Sequence, residues 1–253
     1  MRICLTKKEQ HAIFKIGGNS LLYQLLFCPI LFSFLNQLCH IESLNFKYFN
    51  LRSLCDYCKK PINYFCLIPI ISYIYLRGKT RCCKRSLKPT YIVGECLSIL
   101  PGCLLTFSNI QITLVAYILN FLFLLVFSVY DFEHFSIPLH VVIIYIICTL
   151  CLCIGHPIKC LIVTAILHCL FYILKQAIGY GDILIFSILS FTLPLQIYLL
   201  TLQFTFILAG SITLIIMLIQ RRRINKIPLI PYIFLAFILS NFVTSFFNIP
   251  IIH

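Results

Sequence analysis

Long runs without a charged side chain alternate with short polar segments along this chain. Stretches free of Asp, Glu, Lys and Arg cover 16–41, 96–130, 134–158, 160–174, 183–220 and 227–253. A membrane-spanning helix needs about 20 mostly apolar residues. The runs 96–130 and 183–220 are too long for one such helix and fit two each, divided near Ser108-Asn109 and near Thr201. The pattern therefore predicts about eight helices, near 19–39, 90–107, 112–130, 137–155, 158–175, 183–200, 203–220 and 228–247. Strands cross a bilayer only as a closed barrel, and period-two alternation is absent, so helices are expected. The fold class expected is an all-α polytopic membrane protein. Its organisation is an N-terminal segment and first helix (1–39), a polar loop (40–89) and a helical membrane domain (90–253).

Composition agrees with the pattern. Of 253 residues, 61% are hydrophobic and 11% charged. A soluble domain carries about 25% charged residues, so a water-soluble globule is excluded. The net charge is 20 − 7 = +13. A nucleic-acid-binding role does not follow, because a soluble basic domain would not be this apolar. The basic residues instead report orientation, since Lys and Arg collect in cytoplasmic loops. Ten of the twenty fall in 40–89 and four in the RRRINK segment 221–226. With eight helices both segments share one side, which is then cytoplasmic. The connections near 108–111, 156–157 and 201 face outward and carry no Lys or Arg. Arg2, Lys7, Lys8 and Lys15 run against this orientation. The first apolar run is too long for a signal peptide and no small-x-small cleavage site follows it, so an anchor is expected.

The seven acids are few enough to place singly. Glu9, Glu42 and Asp56 lie in polar segments, and Glu95 lies early in the second helix. Asp131 and Glu133 follow the third helix, and Asp182 opens the sixth. Asp131 and Asp182 thus share the cytoplasmic boundary of the membrane. Alone, Asp182 reads as a helix N-cap and Asp131 as a loop residue. Together they read as a pair, because ionisable residues at membrane depth are costly and mark function. Gly179-Tyr180-Gly181 before Asp182 allows close backbone approach, and Tyr130-Asp131 stands ahead of Ile137-Pro138. Two neighbouring carboxylates do not both ionise cheaply, so one keeps its proton. One can then activate water while the other donates to a carbonyl oxygen, as in aspartic proteases.

Fifteen cysteines are present. Those in the apolar runs serve as small hydrophobes. Cys55 and Cys58 form a Cys-x-x-Cys knuckle, and Cys82 and Cys83 follow in the same loop. A reducing cytosol and the strain of a vicinal bridge argue against disulfides. Two readings stay open: a structural zinc site, or four reduced thiols, because a vicinal pair wraps a metal less well than a spaced one.

Five segments in order resemble the type 4 prepilin leader peptidases, which are membrane aspartic proteases, and most closely the competence-type processing enzymes of Gram-positive bacteria. SFLN at 33–36 resembles the first-helix motif of that family. RSLCDYC at 52–58 and LIPIISYIYLRGK at 67–79 resemble its cysteine region, and Glu95 falls where the family has a glutamate. YDFEHFSIP at 130–138 resembles the segment of the first catalytic aspartate. GYGD at 179–182 matches the GxGD segment of the second, and KIPLIPYIFLA at 226–236 resembles the last-helix motif. The resemblance covers about residues 30–240. It implies that Asp131 and Asp182 are catalytic, supported by Tyr130, Gly179 and Gly181. It implies removal of a basic leader after a glycine on the cytoplasmic side of a bacterial plasma membrane, with prepilin-like precursors and the lipid bilayer as partners and no metal in the proteolytic step. Many members also methylate the new amino terminus with S-adenosylmethionine. The chain departs from the family pattern in three places. Thr80 and Cys83 occupy the positions of the second Cys-x-x-Cys, so that Cys82 substitutes or the metal is lost. Phe32 and Ile230 stand where the family has glycines.

Three other readings compete. Presenilin-like intramembrane proteases also pair Tyr-Asp with GxGD, but they carry a late Pro-Ala-Leu, where this chain has Ile-Pro-Leu-Ile-Pro at 227–231. An ion-coupled transporter using the two aspartates predicts mid-span carboxylates and inverted repeats, and neither is present. A non-catalytic scaffold explains least.

Overall fold

The computed structural model describes residues 27–41, 55, 57–58, 60–63, 66, 68–107, 112–173, 179–220 and 227–247. The start of the expected first helix (19–26), the breakpoint at Ser108-Asn109, Asp56 and the basic segment 221–226 lie outside these residues. The described residues are mainly helical, joined by turns and short irregular segments that include an isolated bridge of Lys79 with Ser86. In chain order the helices are α1 (Phe27–Cys39), α2 (Ile71–Tyr75), α3 (Pro89–Leu97), α4 (Leu100–Phe107), α5 (Leu114–His134), α6 (Leu139–Leu152), α7 (Pro157–Ile173), α8 (Tyr180–Thr192), α9 (Leu195–Gln220) and α10 (Ile230–Phe246). Two of them, α5 and α9, are long and apolar enough to cross a membrane by length and composition. At 26 residues, α9 is about 39 Å long, more than the roughly 30 Å of a bilayer's hydrocarbon core. The other apolar helices, including α1, α6, α7, α8 and α10, are shorter.

Prolines set two boundaries that the hydrophobic pattern did not locate. The division expected near Thr201 falls at Leu193-Pro194, and Thr201 is buried inside α9. Leu193 is extended (φ −95°, ψ 144°), as a residue before proline prefers. The second expected helix is interrupted at Ser98-Ile99. Pro101 has no N–H to bond Leu97 and its ring crowds that carbonyl, so α3 stops and α4 begins anew.

The chain divides into two compact units, one of residues 1–33 and 52–107, the other of 34–51 and 108–253. In the second unit α10 packs along α9 and α5, and α7 along α8, with lesser contacts of α5 with α6, α6 with α8 and α8 with α9. Aromatic rings fill the joints: Tyr117 stacks on Phe237, Phe121 meets Phe234 edge-on, and Phe123 stacks on Tyr145 at 4.6 Å. Several buried polar groups pair across helices, which suits a site without water. Asn120 Nδ2 donates to Thr192 Oγ1 (2.9 Å), and the Tyr145 hydroxyl donates to Asn120 Oδ1 (2.5 Å), tying α5, α6 and α8 together. Thr201 and Ser240 join α9 to α10 (2.7 Å). The outward faces of α7 and α9 are apolar, with Leu161, Ile162, Leu214, Leu218 and Ile219 all exposed. A hydrocarbon solvent suits that surface and water does not.

Candidate active site

Asp131 lies within α5, not in a loop after it. The helix carries on past residue 130 because nothing stops it before Phe135, which closes it in the left-handed region (φ 50°) with its N–H on the Asp131 carbonyl (2.9 Å). Asp131 is buried. Its Oδ2 accepts the N–H of Ile230 at 3.3 Å. Ile230 is the first residue of α10 and Pro231 follows it. Proline is favoured in the first helical turn, and a helix N-terminus offers free N–H groups and partial positive charge to a carboxylate.

Asp182 is the third residue of α8. The expected capping role is therefore corrected, because Gly179 is the N-cap. The Asp182 carboxylate reaches back to accept the Gly179 N–H, as an acidic residue at this helical position does in a capping box. A Cβ on Gly179 would stand 2.9 Å from Asp182 Oδ2, and a Cβ on Gly181 would collide with the end of the Ile137 side chain. The two glycines thus make room for different neighbours, the carboxylate itself and the loop after α5. Asp182 is half-buried, and Asp131 is near enough for its charge to be felt there. The structure therefore sets Gly179 against the Asp182 carboxylate, Gly181 against Ile137, and Asp131 within electrostatic range of Asp182. Tyr130 does not join them. Its ring faces His40 (5.6 Å) and His134 (4.5 Å). Ile137 and the Ile230 N–H were missed by sequence reasoning. The Ile-Pro pair at 230–231 was the one available signal, as a mark of helix start.

Cys55, Cys58, Cys82 and Cys83 lie in the first unit, and their sulfurs are all within 4.8 Å of one another. Cys58 Sγ is 3.3 Å from Cys82 Sγ, and Cys55 Sγ is 3.9 Å from Cys83 Sγ. Sulfurs about 2.3 Å from a tetrahedral zinc are about 3.8 Å apart, so the four residues fit that ion. The vicinal pair reaches the cluster through a tight turn. The Thr80 N–H bonds the Arg85 carbonyl (2.8 Å), the Lys84 N–H bonds the Thr80 carbonyl (2.9 Å), and Lys84 takes a positive φ of 56°. Thr80 itself lies beside the cluster, its Oγ1 3.0 Å from Cys83 Sγ. That hydroxyl, above all, holds the Cys83 thiol below its ordinary pKa, whereas hydrogen bonds with Cys58 and then Cys55 push Cys82 up to about 12. All described cysteines are free thiols.

Glu95 anchors the loop before α2. Its Oε2 accepts the N–H of Ile70 at 2.6 Å. Ile70 is β-branched yet has φ 62°, a conformation that persists only when neighbours enforce it. Phe32 is fully buried, and its ring fills the space a Cβ on Gly94 would need. The bulk at 32 is thus accommodated by the glycine at 94.

Helical described residues with lipid-suited faces, a buried Asp131 and a half-buried Asp182 that feels its charge have the makings of a membrane enzyme. Residues 26–109 match the bacterial peptidase A24 N-terminal domain, and residues 118–214 match the type IV leader peptidase family. The chain belongs to this family of prepilin peptidases. It is a membrane protein and a protease, and its substrates are of the prepilin type. Neither the curated proteins nor the solved structures yield a match to it.

Proposed function

We propose that this chain is an aspartic endopeptidase that removes the leader from prepilin-like precursors, competence pseudopilins among them, at the cytoplasmic face of a bacterial plasma membrane, crossed about eight times. Asp131 and Asp182 are its catalytic carboxylates. The observation that supports this reading is their pairing: two acids distant in sequence, each accepting a backbone N–H at a separate helix N-terminus, with the charge of Asp131 felt at Asp182. The precursor's apolar helix lies in the bilayer with its Gly-X bond at the depth of the pair. The ionised carboxylate takes a proton from water as the oxygen attacks the carbonyl carbon. The protonated partner donates to the carbonyl oxygen. The tetrahedral intermediate then collapses: the C–N bond breaks as the departing amine takes the proton that the first carboxylate removed from water, and a hydroxyl of the intermediate returns a proton to the second as the carbonyl reforms. This step uses no metal.

Asp131→Asn and Asp182→Asn are each expected to abolish processing of a co-expressed prepilin in a gel-shift assay while the membrane protein accumulates normally. Normal processing in either variant would overturn the assignment. The cysteine cluster supports a second element of the reading, a structural zinc held by Cys55, Cys58, Cys82 and Cys83. Zinc there would lock two loops of the first unit together and take no part in hydrolysis.

A further inference from the structure

A second donor cluster includes two residues of the helical turn that begins at Asp131 and has no part in the reaction above. A ring nitrogen of His40, a ring nitrogen of His134 and a carboxylate oxygen of Glu133 all lie within 4.8 Å of one another. Glu133 Oε2 is 3.9 Å from His134 Nε2. His40 Nδ1 is 2.9 Å from the Asn36 carbonyl oxygen. A carbonyl only accepts, so Nδ1 carries the hydrogen of this bond, and Nε2 is the ring atom able to ligate a metal. Metal-bound histidines are commonly oriented in this way, by a carbonyl on the far nitrogen. The rings are also steadied by stacking: Tyr130 meets His40 edge-on and lies tilted over His134, and the two imidazoles are 5.9 Å apart between centroids.

Two imidazoles and one carboxylate suit a borderline divalent ion better than a hard one. Zinc binds such donors at about 2.0–2.2 Å, which sets them about 3.4 Å apart around a tetrahedral ion. Closing the cluster from its present spread needs shifts of about 1 Å, within reach of side-chain rotation because both histidines are exposed. We propose that His40, Glu133 and His134 bind a zinc-class divalent cation, leaving one position open to water. The ion ties the segment after α1 to the last turn of α5, the turn that begins at Asp131. This site is separate from the cysteine cluster and does not depend on the peptidase assignment.

Cobalt distinguishes the two sites. Full-length protein in detergent micelles is stripped of metal, loaded with Co2+, and assayed for cobalt content and absorption. The thiolate cluster gives intense sulfur-to-cobalt charge transfer. The histidine–carboxylate site gives only weak visible bands. The double variant His40→Ala with His134→Ala is expected to lose one cobalt per chain and those weak bands while keeping the charge-transfer band, which also reports that the chain is folded. Glu133→Gln, which preserves shape and removes charge, is read in the same way should the double variant not fold. Unchanged cobalt content and spectra in the variants, or a parent protein that binds cobalt through thiolates alone, overturns the proposal.

Discussion

At Gly181 the side chain of Ile137 occupies the space a Cβ would take, with Ile137 Cγ1 at 3.0 Å from that position. Gly181→Ala must displace either the loop after α5 or the start of α8, and so move Asp182. A misplacement of about 1 Å at a reacting group can cost about 100-fold. Processing of prepilin is expected to fall by about that factor, and Ile137→Ala in the same chain is expected to restore much of it. Failure of the second change to restore activity would show that the glycine is needed for another reason. The spacing of Gly179, Gly181 and Asp182 was legible in the sequence. Which neighbour each glycine admits was not, because Ile137 is remote along the chain.

The cysteine cluster carries another expectation at this scale. Reactivity follows the thiolate, and the Thr80 hydroxyl favours it at Cys83, whereas Cys82 holds its proton up to about 12. In chelator-treated protein at pH 8, Cys83 is expected to be alkylated before Cys82, although Cys82 is the more exposed. Lowering the pH slows labelling of Cys83 as its thiolate is protonated. Thr80→Val is expected to narrow the difference, read by mass spectrometry of the alkylated peptides. The sequence grouped these four residues but left open whether adjacent cysteines can both reach the other pair. A turn closed by Thr80, Lys84 and Arg85 brings both sulfurs there.

Among the helices, apolar runs gave the existence and kind of element, and prolines gave the ends. Pro194 moved a boundary that the count of apolar residues had put near Thr201, and Pro101 broke a run expected to be continuous. A hydropathy pattern averages over many residues, while a missing N–H acts at one. Within the first unit, Gly94 on α3 faces the Phe32 ring on α1. Gly94→Ala overpacks that joint, and overpacking typically costs about 1–3 kcal/mol. The thermal midpoint in detergent, followed by circular dichroism, is expected to drop. Phe32→Leu in the same chain is expected to raise it again. Equal melting of parent and G94A would mean that the two helices part freely at this contact.

For the molecule as a whole, the distribution of Lys and Arg makes a directional statement. Alkaline phosphatase fused after residue 109 or 156 is expected to be active, and after residue 226 inactive, with a fluorescent protein showing the reverse. Activity after residue 226 would invert the orientation and put the aspartates on the wrong face for a cytoplasmic leader. The sequence by itself determined the helical class, the places where acids are scarce enough to matter, and the family, because these depend on the order and type of residues along one dimension. Only the tertiary structure decided that the Ile230 N–H meets Asp131, that Ile137 needs Gly181, and that His40 comes to Glu133 and His134. Each of these joins segments far apart in the chain, and such meetings are set by how helices pack in three dimensions.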